Sequence, residues 1–350
     1  MIRTFIREAG FVLLLTVTVL LLVVTVSCGY DSNGPYGSPT PSAVEGLWTS
    51  SAANPAILRL SPDQLLTTGD RLPATAITTP SAALFDLNGI AFDTDGTMWV
   101  TSQDDSSLVA FSPTALAYSG SSNATVVISS TNGSLSAPTG LAFDKQHRLW
   151  VANSHNGTIV RFDRAQLASS GSPVPSVIIS GLGQPAAVAF DASGSLWYSD
   201  IRRNKLASFS EAQITASGFL APQVVISALA ASLANPAGIA FDVDGNLWVA
   251  SLSNQTVVGF SAAQLVTTGS PVPHVVLSSN AGSLDEPVGL AFDSDGALWV
   301  MDGIDVLTKF PRASLGATGA PAPSVRLTLT NYSLFWSVAF WPKPAGLPLN

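Results

Sequence analysis

The 350 residues can form one large all-β domain or two ordinary domains, and 47% of them are hydrophobic while only 11% are charged. With 28 glycines and 23 prolines, this composition is typical of short strands joined by tight turns and excludes a disordered chain. The formal net charge is −8 and no Lys/Arg run occurs beyond Arg202-Arg203, so we expect no nucleic-acid partner.

The first 27 residues are typical of an export signal. Arg3 and Arg7 give a positively charged start, and Phe11 to Val26 is an apolar run interrupted only by threonines. A helix of that length would span roughly 24 Å, which is short for a bilayer core of about 30 Å. We therefore predict a cleaved signal peptide over residues 1–27 rather than a permanent membrane anchor.

The segment Thr25-Val26-Ser27-Cys28-Gly29 resembles the lipobox of bacterial lipoproteins, in which the cysteine is lipidated and becomes the mature N-terminus. It departs from that pattern at Thr25, where the family prefers leucine. An ordinary signal peptide, or a short anchor with an incidental cysteine, is the alternative. The resemblance implies an exported protein held by lipid on Cys28 at the outer membrane or cell surface.

Cys28 is the only cysteine, so the folded domain contains no internal disulfide. The stretch after it consists largely of Gly, Ser, Pro and Asn and has no hydrophobic period. We predict a flexible tether over residues 28–43, followed by a folded domain over residues 44–350.

Within the folded domain, a strand-like segment ending in tryptophan recurs at intervals of 51, 51, 47, 51 and 51 residues. The tryptophans are Trp48, Trp99, Trp150, Trp197, Trp248 and Trp299. Three other short segments, each rich in Val, Ile or Phe and bounded by turn residues, recur with the same period and also predict strands. Four strands repeated six times predict an all-β fold, a six-bladed β-propeller of four-stranded blades.

The two ends of the repeat region are complementary. The first unit, from Gly46, begins at its second strand, and the last segment, Ser337 to Trp341, is a first strand with no successor. Together they complete one blade, so we predict a ring closed by the C-terminal strand. A stacked solenoid is the alternative, but it would carry capping repeats at its ends.

Turn residues agree with this architecture. Asp-Gly or Ser-Gly pairs separate the first and second strands and predict tight hairpins, except at Gln146-His147, where we predict a different turn. A connector between the third and fourth strands opens with Ser, Asp or Pro and closes with Gly eight residues later in all six units. We predict one short helix per connector, with the glycine as its left-handed exit, on the face opposite the loops between strands two and three.

The segment Pro236 to Ala250 resembles the NHL repeat and is similar to repeats of the six-bladed gluconolactonase and senescence-marker lactonases. The resemblance extends over about residues 44–341. It implies the propeller fold, with ligands bound where two sets of loops surround the central channel. The lactonases hold a divalent metal on the axis with one Glu and several Asn or Asp residues, but a shared fold does not transfer an activity.

Several motifs have structural interpretations. Because the six tryptophans occupy one position in every unit, we expect them to pack between blades. The Asp-x-Asp-Gly segments lack the further ligands of a Ca²⁺ loop and predict hairpin turns. No pair among His147, His155 and His274 has zinc-ligand spacing, and no nucleophile motif occurs, so we assign no catalytic residue.

Two series of variable positions mark the predicted loop face. The first, just before strand one, consists of Asn88, Thr139, Ala186, Ala237, Val288 and Trp336. The second, just after strand two, consists of Ser50, Ser102, Asn153, Asp200, Ser251 and Asp302. The candidate ligand-binding residues are Asn88, Asn153, His155, Asp200, Arg202, Glu286 and Asp302.

Two functions remain open. The first is a non-enzymatic, monomeric binding or scaffold propeller that recognises a ligand, protein or glycan at the cell envelope, without a cofactor. The second is a metal-dependent lactonase or related hydrolase, in which Asn88, Asn153, Asp200 and Asp302 hold a divalent cation. Ala237, Val288 and Trp336 stand where polar metal ligands would be needed, and so argue against the second function.

Overall fold

The computed structural model describes residues 45–79, 86–130, 132–227, 232–280 and 282–347. The predicted signal peptide, the tether and the lipidation site at Cys28 lie outside the described residues. Among the residues described, no helix is long and apolar enough to span a membrane.

The described chain is an all-β propeller of six blades, each an antiparallel sheet of four main strands. We number the blades by their tryptophans, from Trp48 in blade 1 to Trp299 in blade 6. The innermost strands of blades 1 to 6 are Phe335–Trp341, Leu87–Phe92, Pro138–Phe143, Pro185–Phe190, Pro236–Phe241 and Pro287–Phe292. The second strands are Gly46–Ser51, Met98–Ser102, Leu149–Asn153, Leu196–Asp200, Leu247–Ser251 and Leu298–Asp302. The third strands are Ala56–Leu60, Ser107–Phe111, Thr158–Phe162, Lys205–Phe209, Thr256–Phe260 and Val306–Phe310. The fourth strands are Thr75–Thr78, Val126–Ser129, Val177–Ser180, Val224–Ser227, Val275–Ser278 and Val325–Leu329.

The predicted ring closure is confirmed. The C-terminal strand Phe335–Trp341 pairs antiparallel with Gly46–Ser51, with Leu47 opposite Phe340 and Thr49 opposite Val338. Blade 1 is therefore built from both ends of the described chain. The closure pairs the two strand edges that an open ring would leave exposed.

One-turn helices follow the third strand in all six blades, as predicted. They are Pro62–Leu65, Pro113–Leu116, Arg164–Leu167, Gln213–Thr215, Ala262–Leu265 and Arg312–Gly316, and another turn, Leu252–Asn254, lies in a loop of blade 5. All are 3₁₀ turns except Pro113–Leu116. A glutamine closes several of these turns; the side chain of Gln264, for example, accepts from the Ser261 N–H at 2.9 Å and donates to the Val272 carbonyl.

The predicted role of the connector glycines is wrong. Each lies beyond the helix end and pairs in parallel with the fourth strand of the preceding blade, as Gly269 does with Ile226 and Gly120 with Ile77. Three of them extend into short strands, which are Gly69–Arg71, Gly120–Ser121 and Gly218–Phe219. These glycines therefore join neighbouring blades at the outer rim instead of ending helices.

The different turn predicted at Gln146-His147 is also wrong. His147 has a φ of 59°, in the left-handed region that Gly96 and Gly245 occupy in the equivalent hairpins at 83° and 78°. Its ring Nδ1 lies 2.8 Å from Asp93 Oδ1 of the preceding blade. His147 thus adopts the same hairpin conformation as the glycines, which non-glycine residues adopt infrequently, and its side chain contacts the neighbouring blade.

The tryptophans pack between blades, as predicted. In five blades the indole meets a phenylalanine of the next innermost strand edge to face, with ring centroids 6.1–6.3 Å apart and interplanar angles of 65–71°. Trp99 joins Phe143 in the same kind of cluster. The hydrophobic core therefore lies between adjacent blades, because each cluster combines residues from two of them.

The first aspartate of the hairpin motif holds the tryptophan in place. Asp242 Oδ2 accepts the Trp248 indole N–H at 2.9 Å, while its Oδ1 accepts two turn N–H groups. The same arrangement recurs at Asp144, Asp191 and Asp293. In these four blades the motif is structural, because both carboxylate oxygens of the first aspartate accept hydrogen bonds within the blade.

Candidate functional site

The innermost strands surround a central channel with a volume of about 280 Å³. Its mouth opens on the loop face, which is formed by the loops between strands two and three and between one blade's fourth strand and the next blade's first. All six residues of the first variable series line the channel, although each is the second residue of its innermost strand rather than a residue before that strand; they are Asn88, Thr139, Ala186, Ala237, Val288 and Trp336. Four of them are apolar, so most of this ring is an apolar wall.

Glycines in the innermost strands allow the channel wall to close. A Cβ on Gly238 would lie 2.2 Å from the Val288 carbonyl oxygen, and one on Gly140 would lie 2.6 Å from that of Ala186. Neighbouring innermost strands thus approach too closely for a side chain at these positions. The small residue that recurs in the sequence is required by the ring itself.

The series after strand two does not line the channel. Asp200 is fully buried, and its carboxylate accepts the N–H groups of Gly183, Gln184 and Arg203 at 3.1–3.2 Å. Asp302 accepts from Asp285, Glu286 and Ile304 in the same manner. These side chains tie together the two loops of their own blades.

Asn153 has the same role in blade 3. It is fully buried, accepts the Ser136 N–H at 3.1 Å and donates to the Ser134 carbonyl at 3.0 Å. In blade 1 the equivalent residue is Ser51 rather than Ser50, because Ser51 pairs with Ala56 as Ser102 pairs with Ser107.

The predicted cation ligands therefore do not fit a metal centre on the axis. Of the four predicted ligands, only Asn88 lines the channel, and its side-chain amide donates to Gln103 Oε1 at 3.1 Å. The oxygens of Asn153, Asp200 and Asp302 accept backbone N–H groups within three separate blades. Among the described residues, no group of three or more His, Cys, Asp or Glu side chains is placed to hold a metal ion.

The sequence prediction missed the residues directly after the second series. Gln103, Ser154, Ile201 and Leu252 line the mouth of the channel. Successive residues at a strand end point in opposite directions, so a residue that faces the loops is followed by one that faces the axis. Applying this alternation to the ends of the second strands would have predicted these four residues at the channel mouth.

Two candidate residues, His155 and Arg202, converge beside the mouth. They line a pocket of about 300 Å³ between blades 2, 3 and 4. The remaining lining residues are Gln103, Ala137, Ser154, Gly183 and Gln184. Because Gln103, Ser154 and Gln184 also line the channel, the two cavities adjoin. We call this second cavity the polar pocket.

Acidic groups lie elsewhere on the loop face. Asp86 lines the channel on the blade 2 side, where desolvation and the nearby Asp104 raise the pKa of its carboxyl group. Glu286 is exposed on blade 6 and is not among the residues lining either cavity. The structure therefore brings Asn88, His155 and Arg202 to the channel mouth or the polar pocket, but not the other four candidates.

The opposite end of the channel meets the C-terminal segment. Lys343, Pro344 and Leu347 line it, and Lys343 and Leu347 also line a groove formed by hairpins of blades 3 to 5. Lys343 Nζ donates to the Leu347 carbonyl, and burial lowers the pKa of this amine. The segment thus lies beside the hairpin end of the channel and contributes to both cavities.

Comparison with solved structures returned propellers of low sequence identity. The nidogen/laminin complex matches at 15% identity and a TM-score of 0.57, covering 84% of this chain and 97% of that chain. A catalytically inactive virginiamycin B lyase from Staphylococcus aureus, solved with quinupristin, matches at 13% identity and a TM-score of 0.52, covering 79% of this chain and 84% of that chain. A protein of unknown function from Bacteroides caccae matches at 10% identity and a TM-score of 0.57, covering 85% of this chain and 99% of that chain.

No protein-family model and no curated protein matches the chain. At the identities of the solved structures, the likeness shows the fold alone. It agrees with the six-bladed propeller that the sequence resemblance implies.

Proposed function

We propose that this protein is a binding propeller that takes a small molecule at the mouth of its central channel. The observation that carries the proposal is the cavity of about 280 Å³, walled mainly by apolar residues, with Trp336 39% exposed at its mouth. A concave, mostly apolar cavity with a few polar groups at one end is the usual form of a small-molecule site. Tryptophan at its rim provides a large apolar surface for such a ligand.

Binding without catalysis is favoured over the metal-dependent hydrolase. The hydrolase needs free oxygen ligands around the axis, whereas Asp200 and Asp302 each accept three backbone N–H groups. Coordinating a metal would break these hydrogen bonds to the two buried carboxylates, so their oxygens are not available at low cost. No specific observation favours the hydrolase.

The channel site is tested by filling it. Ala186→Phe places an aromatic ring on the channel wall, and we expect any ligand found in a calorimetric screen to bind at least tenfold more weakly, a loss of about 1.4 kcal/mol. The matched control is Ala320→Phe, because Ala320 is exposed on the connector of blade 6. Unchanged binding by Ala186→Phe would place the ligand elsewhere.

We also propose that the domain is displayed at the cell envelope by lipid on Cys28. The lipobox-like segment and the Gly-, Ser- and Pro-rich stretch after it support this placement. We expect the wild-type protein to incorporate labelled palmitate and the Cys28→Ala variant to incorporate none. A Ser27→Ala control should behave as wild type, because it keeps a small residue before the cysteine. Palmitate labelling of the Cys28→Ala variant would contradict the proposal.

A further inference from the structure

We propose that the ligand is an amphipathic carboxylate whose anionic group binds Arg202 in the polar pocket while its apolar part enters the channel. This inference rests on the proposed binding function and names the chemical class of the ligand. It follows from the composition of the polar pocket, the state of Arg202 and the connection between the two cavities.

The polar pocket contains no carboxylate, although acidic side chains outnumber basic ones in the chain by 23 to 15. Its polar side chains are Gln103, Ser154, His155, Gln184 and Arg202; the Ser154 hydroxyl donates to the Ala137 carbonyl at 2.9 Å, and the other four carry N–H donors. A pocket with several donors, one cationic group and no anion is suited to a negatively charged ligand.

The two adjacent arginines of the blade 4 loop differ. The guanidinium of Arg203 lies 3.5 Å from Asp200 Oδ2, so this side chain already has a carboxylate partner. The exposed Arg202 lines the polar pocket, and its guanidinium forms no hydrogen bond or ion pair with the residues that the structure describes. A guanidinium presents two parallel N–H donors that match the two oxygens of a carboxylate.

Neighbouring side chains are held so that donors remain available. Asn88 Nδ2 donates to Gln103 Oε1 at 3.1 Å, which occupies the acceptor end of the Gln103 amide and leaves its NH₂ group as a donor. The backbone of Gln184 is held by its N–H bond to Asp200 Oδ1 at 3.1 Å. The polar pocket is therefore supported by the buried residues behind it.

The same three residues, Gln103, Ser154 and Gln184, border both cavities. One molecule can thus place a charged end in the polar pocket and an apolar end against Ala186, Ala237 and Val288 in the channel. Asp86 lies on blade 2, where its backbone carbonyl accepts the Gln103 N–H at 3.0 Å, whereas Arg202 belongs to blade 4, so the anionic group of the ligand is placed at the blade 4 side of the polar pocket. The geometry favours a carboxylate with an apolar tail over a neutral or cationic molecule of the same shape.

Three probes of equal shape test the proposal: 4-phenylbutyrate, 4-phenylbutan-1-ol and 4-phenylbutylamine. Their dissociation constants are measured by calorimetry on the full-length protein in lipid nanodiscs, with empty discs subtracted. We expect the acid to bind at least tenfold more tightly than the alcohol, and the advantage to shrink with added NaCl because exposed charges are screened. In Arg202→Gln the advantage should disappear, whereas the matched control Arg203→Gln should retain it.

The outcomes separate the two proposals. Anion recognition would be rejected if the acid and the alcohol bound equally, if the amine bound most tightly, or if both arginine variants lost affinity for the acid equally. The proposed channel site would not be affected by these outcomes. Absence of binding by all three probes would contradict both proposals. Thermal melting of each variant checks that it is folded, and Arg202→Gln should melt as the wild type does because its side chain is exposed.

Discussion

Replacing Asp200 by alanine should destabilise the propeller by about 3 kcal/mol or more, because a hydrogen bond to a charged group contributes about 1.5–3 kcal/mol and three are lost. The fully buried carboxylate accepts three backbone N–H groups, two from the loop before strand one and one from the loop after strand two. Its loss would free both loops at once. Urea denaturation of wild type and variant measures the difference in the free energy of unfolding.

The matched control is Asp104→Ala. Asp104 lies in the equivalent loop of blade 2 but is exposed, and we expect a change within about 0.5 kcal/mol. Metal analysis of the same samples separates this structural role of Asp200 from a role as a metal ligand. Stoichiometric metal in the wild type that is lost in Asp200→Ala, with stability unchanged, would reverse our interpretation.

Gly238→Ala should be at least as disruptive. The added Cβ would lie 2.2 Å from the Val288 carbonyl oxygen and 3.3 Å from Gly289 Cα, both in the backbone of the neighbouring innermost strand. Neither group can rotate away, so the two strands must separate. Overpacking in a core typically costs about 1–3 kcal/mol, and we expect the upper end of this range or beyond. Thermal denaturation followed by circular dichroism measures the effect.

Gly269→Ala in the same blade is the control. No atom of another segment lies within 4 Å of a Cβ built on Gly269, and neither glycine has a φ in the left-handed region, so the two substitutions differ in the space available and not in backbone strain. We expect the control to melt within a few degrees of wild type. Similar melting temperatures for the two variants would show that the innermost strands can move apart, and would undermine our explanation of the recurring glycine.

Much of the candidate site was predictable because it follows the repeat. The second residue of strand one varies among the units while its neighbours do not, and all six of these residues line the channel. The position after strand two varies as well, yet Asn153, Asp200 and Asp302 are buried among backbone N–H groups. Variation alone cannot separate the two cases, because a repeat compares residue types and does not show which atoms are already hydrogen-bonded.

By itself the sequence determined the number of blades, the four strands in each, the closure of the ring by the C-terminal strand and the packing of Trp between blades. These features follow from the repeat period and the hydrophobic pattern, both of which can be read along the sequence without knowing which segments contact each other. Only the tertiary structure decided that Asp200 is structural, that Gly238 permits close approach of two strands, and that His155 and Arg202 share a pocket with Gln103. Each of these depends on distances between segments far apart in the chain, which the ring of blades brings together.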